Sequence, residues 1–172
     1  NATGGGTVTV QGTGNTISST TGTALNVANT TIGASGLTFQ SISANGALNG
    51  IVLNATGSSG NLNVTGTGSA NSGGTIQNTT GHGIVMTNTT SPSYNNMRIT
   101  STTRSGIQGT QVTNFSFTNG IIEFSGVTSG GAVVGSTGDS NIAFNDGAYT
   151  PPANQQNITG TVTIPWIFSY VI

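Results

Sequence analysis

The segment from Gly50 to Gly57 reads GIVLNATG, and 33 residues later the segment from Gly83 to Thr90 reads GIVMTNTT. This recurrence constrains the fold more than any other feature. Repeated copies belong in equivalent environments, and one copy is too short to bury its own apolar side chains. In a short strand alternate residues point the same way, so Ile51 and Leu53 face one side while Val52 faces the other. The same pair occurs at Leu25-x-Val27 and Ile84-x-Met86, and Ile107 follows the same kind of glycine. A second set comprises Leu37-x-Phe39, Leu62-x-Val64, Met97-x-Ile99, Phe115-x-Phe117, Ile142-x-Phe144 and Val162-x-Ile164, with spacings of 25, 35, 18, 27 and 20 residues. Irregular but bounded periods of this size are those of a β-solenoid whose turns vary in length. Coils stacked about 4.8 Å apart turn these pairs into inward ladders, so burial and strand pairing arise together, on stacking.

Glycine, serine, threonine and asparagine make up more than half of the chain, a bias that reads as a flexible linker when no apolar period accompanies it. Here apolar residues are 33 % of the sequence and regularly spaced, which predicts order. No apolar three-four spacing persists, so helix beyond a single turn is not expected. The glycines before isoleucine, Gly50, Gly83 and Gly106, suit either a positive φ or a close approach between coils. Asn45-Gly46, Asn49-Gly50 and Asn119-Gly120 are turn signals that also fit the hairpins of an antiparallel β-sandwich, the alternative fold. A sandwich has no need of a recurring phrase. The expectation is therefore an all-β parallel β-helix of about five to seven coils.

Residues 1–149 read as the repeat array, 150–156 (TPPANQQ) as a proline-containing connection, and 157–172 as an apolar C-terminal strand segment: a last coil, a cap or a docking strand. In that segment Trp166, Phe168 and Tyr170 share one strand face, with Ile167 and Val171 on the other. A strand apolar on both sides needs cover on both, which makes these three aromatics the candidate assembly residues.

Charged residues are only 3 % and the formal net charge is −1, which leaves no electrostatic basis for binding nucleic acid or anionic lipid. With no cysteine there is no disulfide framework or thiolate metal site. The longest apolar run is too short to span a bilayer, and no signal-like segment opens the chain, so it reads as a mature segment without membrane insertion. Catalysis on polysaccharides needs clustered acids or a carboxylate-bound cation beside a base. The sequence holds three carboxylates (Glu123, Asp139, Asp146), two arginines (Arg98, Arg104) and one histidine, His82. Alternation with Ile122 and Phe124 sends Glu123 outward as a solvated charge. Asp139 to Asp146 lacks the spacing of a calcium loop and reads as a turn. No catalytic residue, metal or cofactor is expected. His82 and Arg104 precede Gly83 and Gly106 by one and two residues, so adjacent coils place them near one corner as a candidate ligand-binding pair. Eight Asn-x-Ser/Thr sequons permit glycosylation without indicating it.

The phrases GIVLNATGSSGNLNVTGTG, SGGTIQNTTGHGIVMTNTT and TNFSFTNGIIEFSG resemble the right-handed parallel β-helix stretches of very large secreted or surface bacterial proteins. In that family a Gly-Ile-x-Leu strand, a Leu-x-Val or Phe-x-Phe strand and a Thr-Ile-x-Asn strand recur coil after coil. The likeness covers residues 20–147 and departs at PPANQQ and PWIFSYVI. Relatives of this fold include polysaccharide lyases and hydrolases, phage tailspikes and adhesive passenger domains. With so few acids here, the expectation is a non-enzymatic structural or adhesive scaffold presenting Thr/Asn/Ser surfaces, outside the cell or at its surface, with glycans or further copies of the chain as partners. A self-assembling filament subunit and a polysaccharide-active enzyme are the alternatives. The fold itself specifies no activity.

Overall fold

Three short strands carry the chain once around each coil, and hydrogen bonds between coils hold the stack. The computed structural model describes residues 1–128, 132–133, 141–144, 158–164 and 167–168. It is a parallel β-solenoid of about five turns, without helix among those residues. Sheet A stacks Ala2–Thr3, Leu25–Ala28, Ile51–Gly57, Ile84–Thr90, Ile107–Thr113 and Ile142–Ala143. Sheet B stacks Thr7–Val10, Thr31–Phe39, Leu62–Val64, Ser93–Asn95 and Ser116–Thr118. Sheet C stacks Thr16–Ser19, Ser41–Asn45, Thr75–Gln77, Arg98–Thr102, Gly120–Ser125 and Ile167–Phe168. Every pairing within these sheets is parallel, which rules out the sandwich. The antiparallel contact among the described residues is a short one, between Val127–Thr128 and Ala132–Val133.

The recurring phrase sits in register: Leu25 pairs with Ile51, Ile51 with Ile84, Ile84 with Ile107, and Val27, Leu53 and Met86 form the next column. All of these are buried. At the end of that column Met86 pairs with Gly109, where a Cβ would overlap the Phe144 ring. Gly109 thus leaves room for Phe144, which packs edge-on to Phe115 with centroids 5.1 Å apart.

The second set of pairs does not form one face. Leu37/Phe39, Leu62/Val64 and Phe117 belong to sheet B, but Ile99 pairs with Ile76 and Ile122 in sheet C, and Ile142 pairs with Ile107 in sheet A. The sheet B residue in the coil of Ile99 is Tyr94, between Val64 and Phe117. The spacing arithmetic mixed sheets because an apolar-x-apolar pair does not encode its corner.

Corners explain the remaining letters. Within or just after four of the sheet A strands, Asn29, Ala55, Asn88 and Gln111 adopt φ of 50°, 52°, 48° and 54°, each four residues beyond the stacked Leu or Ile. A left-handed residue shifts the alternation by one, so the residue after it turns inward. Thr30, Thr56, Thr89 and Val112 are accordingly buried. Buried hydroxyls need partners: Thr56 Oγ1 and Thr89 Oγ1 lie 2.6 Å apart, and Thr30 Oγ1 donates to Ala28 O at 3.2 Å.

Tyr94 is fully buried, and its hydroxyl donates to Met86 Sδ at 3.5 Å, a weak acceptor. Desolvation raises its pKa above the ordinary 10.0. The unfolded chain then releases this proton near pH 10 while the folded chain retains it. The stabilising contribution is complete below pH 10 and is lost as pH climbs through the raised folded value, by about 1.4 kcal/mol per pH unit. Urea midpoints at about pH 9 and about pH 11 should diverge for the wild type and much less for Tyr94→Phe; identical slopes would mean the hydroxyl is solvated.

Candidate functional site

The corner leading from sheet C to sheet A gathers the side chains that the core does not use. Register places Gly46, Asn78, Ser101 and Phe124 in one column, because Asn45 pairs with Gln77, Gln77 with Thr100, and Thr100 with Glu123. All four have positive φ: 84°, 53°, 54° and 51°. Ala47, Thr79, Thr102 and Ser125 follow them inward and are buried. Glycine and asparagine tolerate this backbone, whereas a bulky residue is an outlier costing about 1–2 kcal/mol. Phe124 is nevertheless there, and the residue is 41 % exposed. This corrects the alternation read from the sequence: Ile122 faces in, Glu123 out, and the left-handed step at Phe124 keeps the ring outside.

Beyond that column the chain runs through Leu48, Thr80 and Thr103, with Thr80 N donating to Ala47 O and Thr103 N to Thr79 O. Leu48 is the most exposed large apolar side chain among the described residues, at 66 %. A groove of about 350 Å³ is lined by Ser101, Thr102, Thr103 and Phe124. Thr102 Oγ1 donates to Arg104 O at 2.6 Å and Thr103 Oγ1 donates to Thr79 O at 3.0 Å.

His82 and Arg104 lie on the same corner in adjacent coils. His82 N donates to the Asn49 side-chain oxygen at 2.9 Å, Arg104 N donates to Gly81 O at 3.0 Å, and Gly83 N donates to Ser105 O at 3.1 Å. His82 is half-buried and Arg104 exposed. Glu123 is not a lone solvated charge: on the outer face of sheet C, Arg98 Nε donates to its carboxylate at 2.8 Å, and Arg98 Nη2 donates to the same oxygen. The register pairs Arg98 with Ile121 and Thr100 with Glu123, so Arg98 and Glu123 are diagonal neighbours on the outer face, a gap the long arginine spans. A partly exposed pair of this kind contributes about 0–1 kcal/mol. Asp139, Asp146, Trp166, Tyr170 and the 150–156 connection lie outside the described residues. Of the candidate assembly residues, Phe168 has its backbone paired in parallel with Ile121, so Ile167–Phe168 is the next strand of sheet C.

The outer face of sheet B differs from the corner. Thr38, Asn63, Ser93, Ser116 and Thr163 occupy one column, in register coil by coil. Asn95 and Thr118 belong to the neighbouring column, and Thr118 Oγ1 donates to Asn95 Oδ1 at 3.1 Å. This face is a strip of short hydroxyl and amide groups without charge. Sequence reading expects an uncharged Thr/Asn/Ser surface but does not place the strip on sheet B, and it missed the groove and the Arg98–Glu123 pair. Aligning Thr100-Ser101-Thr102-Thr103 with Glu123-Phe124-Ser125-Gly126 is the signal that would have shown Phe124 replacing a turn residue.

No protein-family model matches the chain, and searches of curated proteins and of solved structures return no match.

Proposed function

We propose that the chain is an extracellular structural or adhesive module of the cell surface, a stiff uncharged rod that makes weak, repeated contacts with glycans. The observation that supports this reading best is the sheet B strip, where Thr38, Asn63, Ser93, Ser116 and Thr163 repeat once per coil. Each hydroxyl or amide both donates and accepts, as a sugar hydroxyl does. One contact of this kind is worth little in water, because it replaces a contact with water. Repetition along a rigid strip converts weak contacts into usable avidity. The resemblance to coils of large secreted bacterial proteins supports the extracellular setting. Glu123, the one described carboxylate side chain, is held by Arg98, which speaks against a polysaccharide-cleaving role. The test compares single chains with chains displayed densely on beads, on a panel of neutral and acidic glycan surfaces. Dense display should raise retention by about 10²–10⁴; beads that bind nothing would sink the reading.

A second reading is a self-assembling filament subunit, in which copies join by the same parallel strand pairing that stacks each coil on the next. Negative-stain electron microscopy of purified protein distinguishes the two: fibres support the subunit reading, and single short particles at high concentration remove it.

A further inference from the structure

We propose that the groove beside Phe124 is a binding site for one neutral sugar ring, with the Phe124 ring as the surface on which the sugar stacks. The inference rests on the adhesive reading and assigns that reading a specific contact. Its starting point is a conflict between side chain and backbone. Four successive coils place a left-handed residue in the corner column, Gly46, Asn78, Ser101 and Phe124, and of these glycine and asparagine are the types that accept this backbone. Phe124 adopts it at φ 51° and gains little burial in return, since the residue stays 41 % exposed. Strained residues of this kind cluster at binding and active sites.

The surroundings indicate what the use is. The groove of about 350 Å³ lies at the small end of the range for small-molecule sites, about 300–1,000 Å³, so it holds a ring or two rather than a polymer segment. One wall is an aromatic face, apolar and electron-rich, which suits the C–H face of a pyranose. The other described lining residues, Ser101, Thr102 and Thr103, carry hydroxyls. Thr103 Oγ1 spends its proton on Thr79 O, and Ser101 Oγ lies 3.4 Å from Thr100 Oγ1, so both exposed oxygens keep lone pairs for a ligand's hydroxyl donors. Thr102 Oγ1 is buried and committed to Arg104 O. None of the described lining side chains is charged. The Glu123 carboxylate beside Phe124 is directed to Arg98 on the sheet C face. Arg104 follows Thr103 in the chain, so acidic sugars form the control class.

The experiment uses the full chain on immobilised neutral oligosaccharides and on uronic-acid oligosaccharides, with Phe124→Asn and Phe124→Trp beside the wild type. Asparagine fits the left-handed corner, so Phe124→Asn should keep or raise the melting temperature while weakening retention on the neutral surfaces by about tenfold or more. Phe124→Trp should retain binding. A wild type and a Phe124→Asn variant that bind alike would overturn the Phe124 site and leave the adhesive reading intact. A wild type that binds no glycan would overturn both. A marked fall in melting temperature for Phe124→Asn would make the ring a structural element and overturn the site, as would salt-sensitive binding confined to the uronic-acid surface.

Discussion

Phe117→Ala is expected to destabilise the solenoid by about 3–5 kcal/mol, the range for removing a fully buried aromatic ring. Phe117 has no exposed surface and stands in the inward column Val64–Tyr94–Phe117 of sheet B. Its ring packs against the backbone of Gly120, where a Cβ would lie 2.5 Å from both Phe117 Cε1 and Phe117 Cζ. Two neighbours resist collapse into the space: Gly120 presents backbone on one side, and Tyr94 packs on Phe115, with centroids 6.2 Å apart. For a chain of this size the melting temperature should fall by about 10 °C or more. The form of the loss is also specified. Stability in a solenoid is close to a sum of coil and nearest-neighbour terms, so amide exchange should accelerate first in Ser93–Asn95 and Ser116–Thr118 and much less in Leu25–Ala28. Uniform acceleration from end to end would show that the array unfolds as one unit.

That nearest-neighbour logic separates what was legible in the sequence from what was not. The sheet A columns could be read directly, since Leu25, Ile51, Ile84 and Ile107 each open a strand and the last three follow a glycine. The glycines offered two explanations, and the structure selects close approach: Gly50, Gly83 and Gly106 are absent from the positive-φ residues. Sheet C was harder because its columns are thin, a single inward isoleucine per strand at Ile76, Ile99 and Ile122. The corners were hidden for another reason. A left-handed residue leaves no apolar trace, and it breaks the period of two at Phe124 as it does at Ser101. The recurring Asn-Thr dipeptides have the same origin: Asn29, Asn78 and Asn88 are left-handed corner residues, and the buried Thr30, Thr79 and Thr89 follow them. Asn and Thr fall together here because the backbone asks for one and the interior for the other.

Gly83→Ala should destabilise by about 2–3 kcal/mol, far beyond the usual effect of adding one methyl group at a surface turn. Gly83 is in the middle of a column of three glycines. Its carbonyl accepts hydrogen bonds from Gly50 N at 2.8 Å and Ile51 N at 3.1 Å, and its own N–H donates to Ser105 O. A Cβ at this position would lie 2.5 Å from Gly106 O and 2.7 Å from Ile99 Cγ2. Relief at the isoleucine is available through its rotamers, but Gly106 O already accepts from Ile84 N at 2.9 Å and cannot retreat without opening the stack. Two controls separate crowding from conformational freedom. Gly46→Asn occupies a corner with φ 84° and no atom closer than 3.5 Å to the new Cβ, and should be close to neutral because asparagine accepts that backbone. Gly83→Asn should fail as badly as Gly83→Ala, since the obstacle is the first carbon and not the dihedral angle. Denaturant midpoints for the three variants decide between the accounts: a tolerated Gly83→Asn would mean that the column needs backbone freedom, and the close stacking of coils at this corner would lose its explanation.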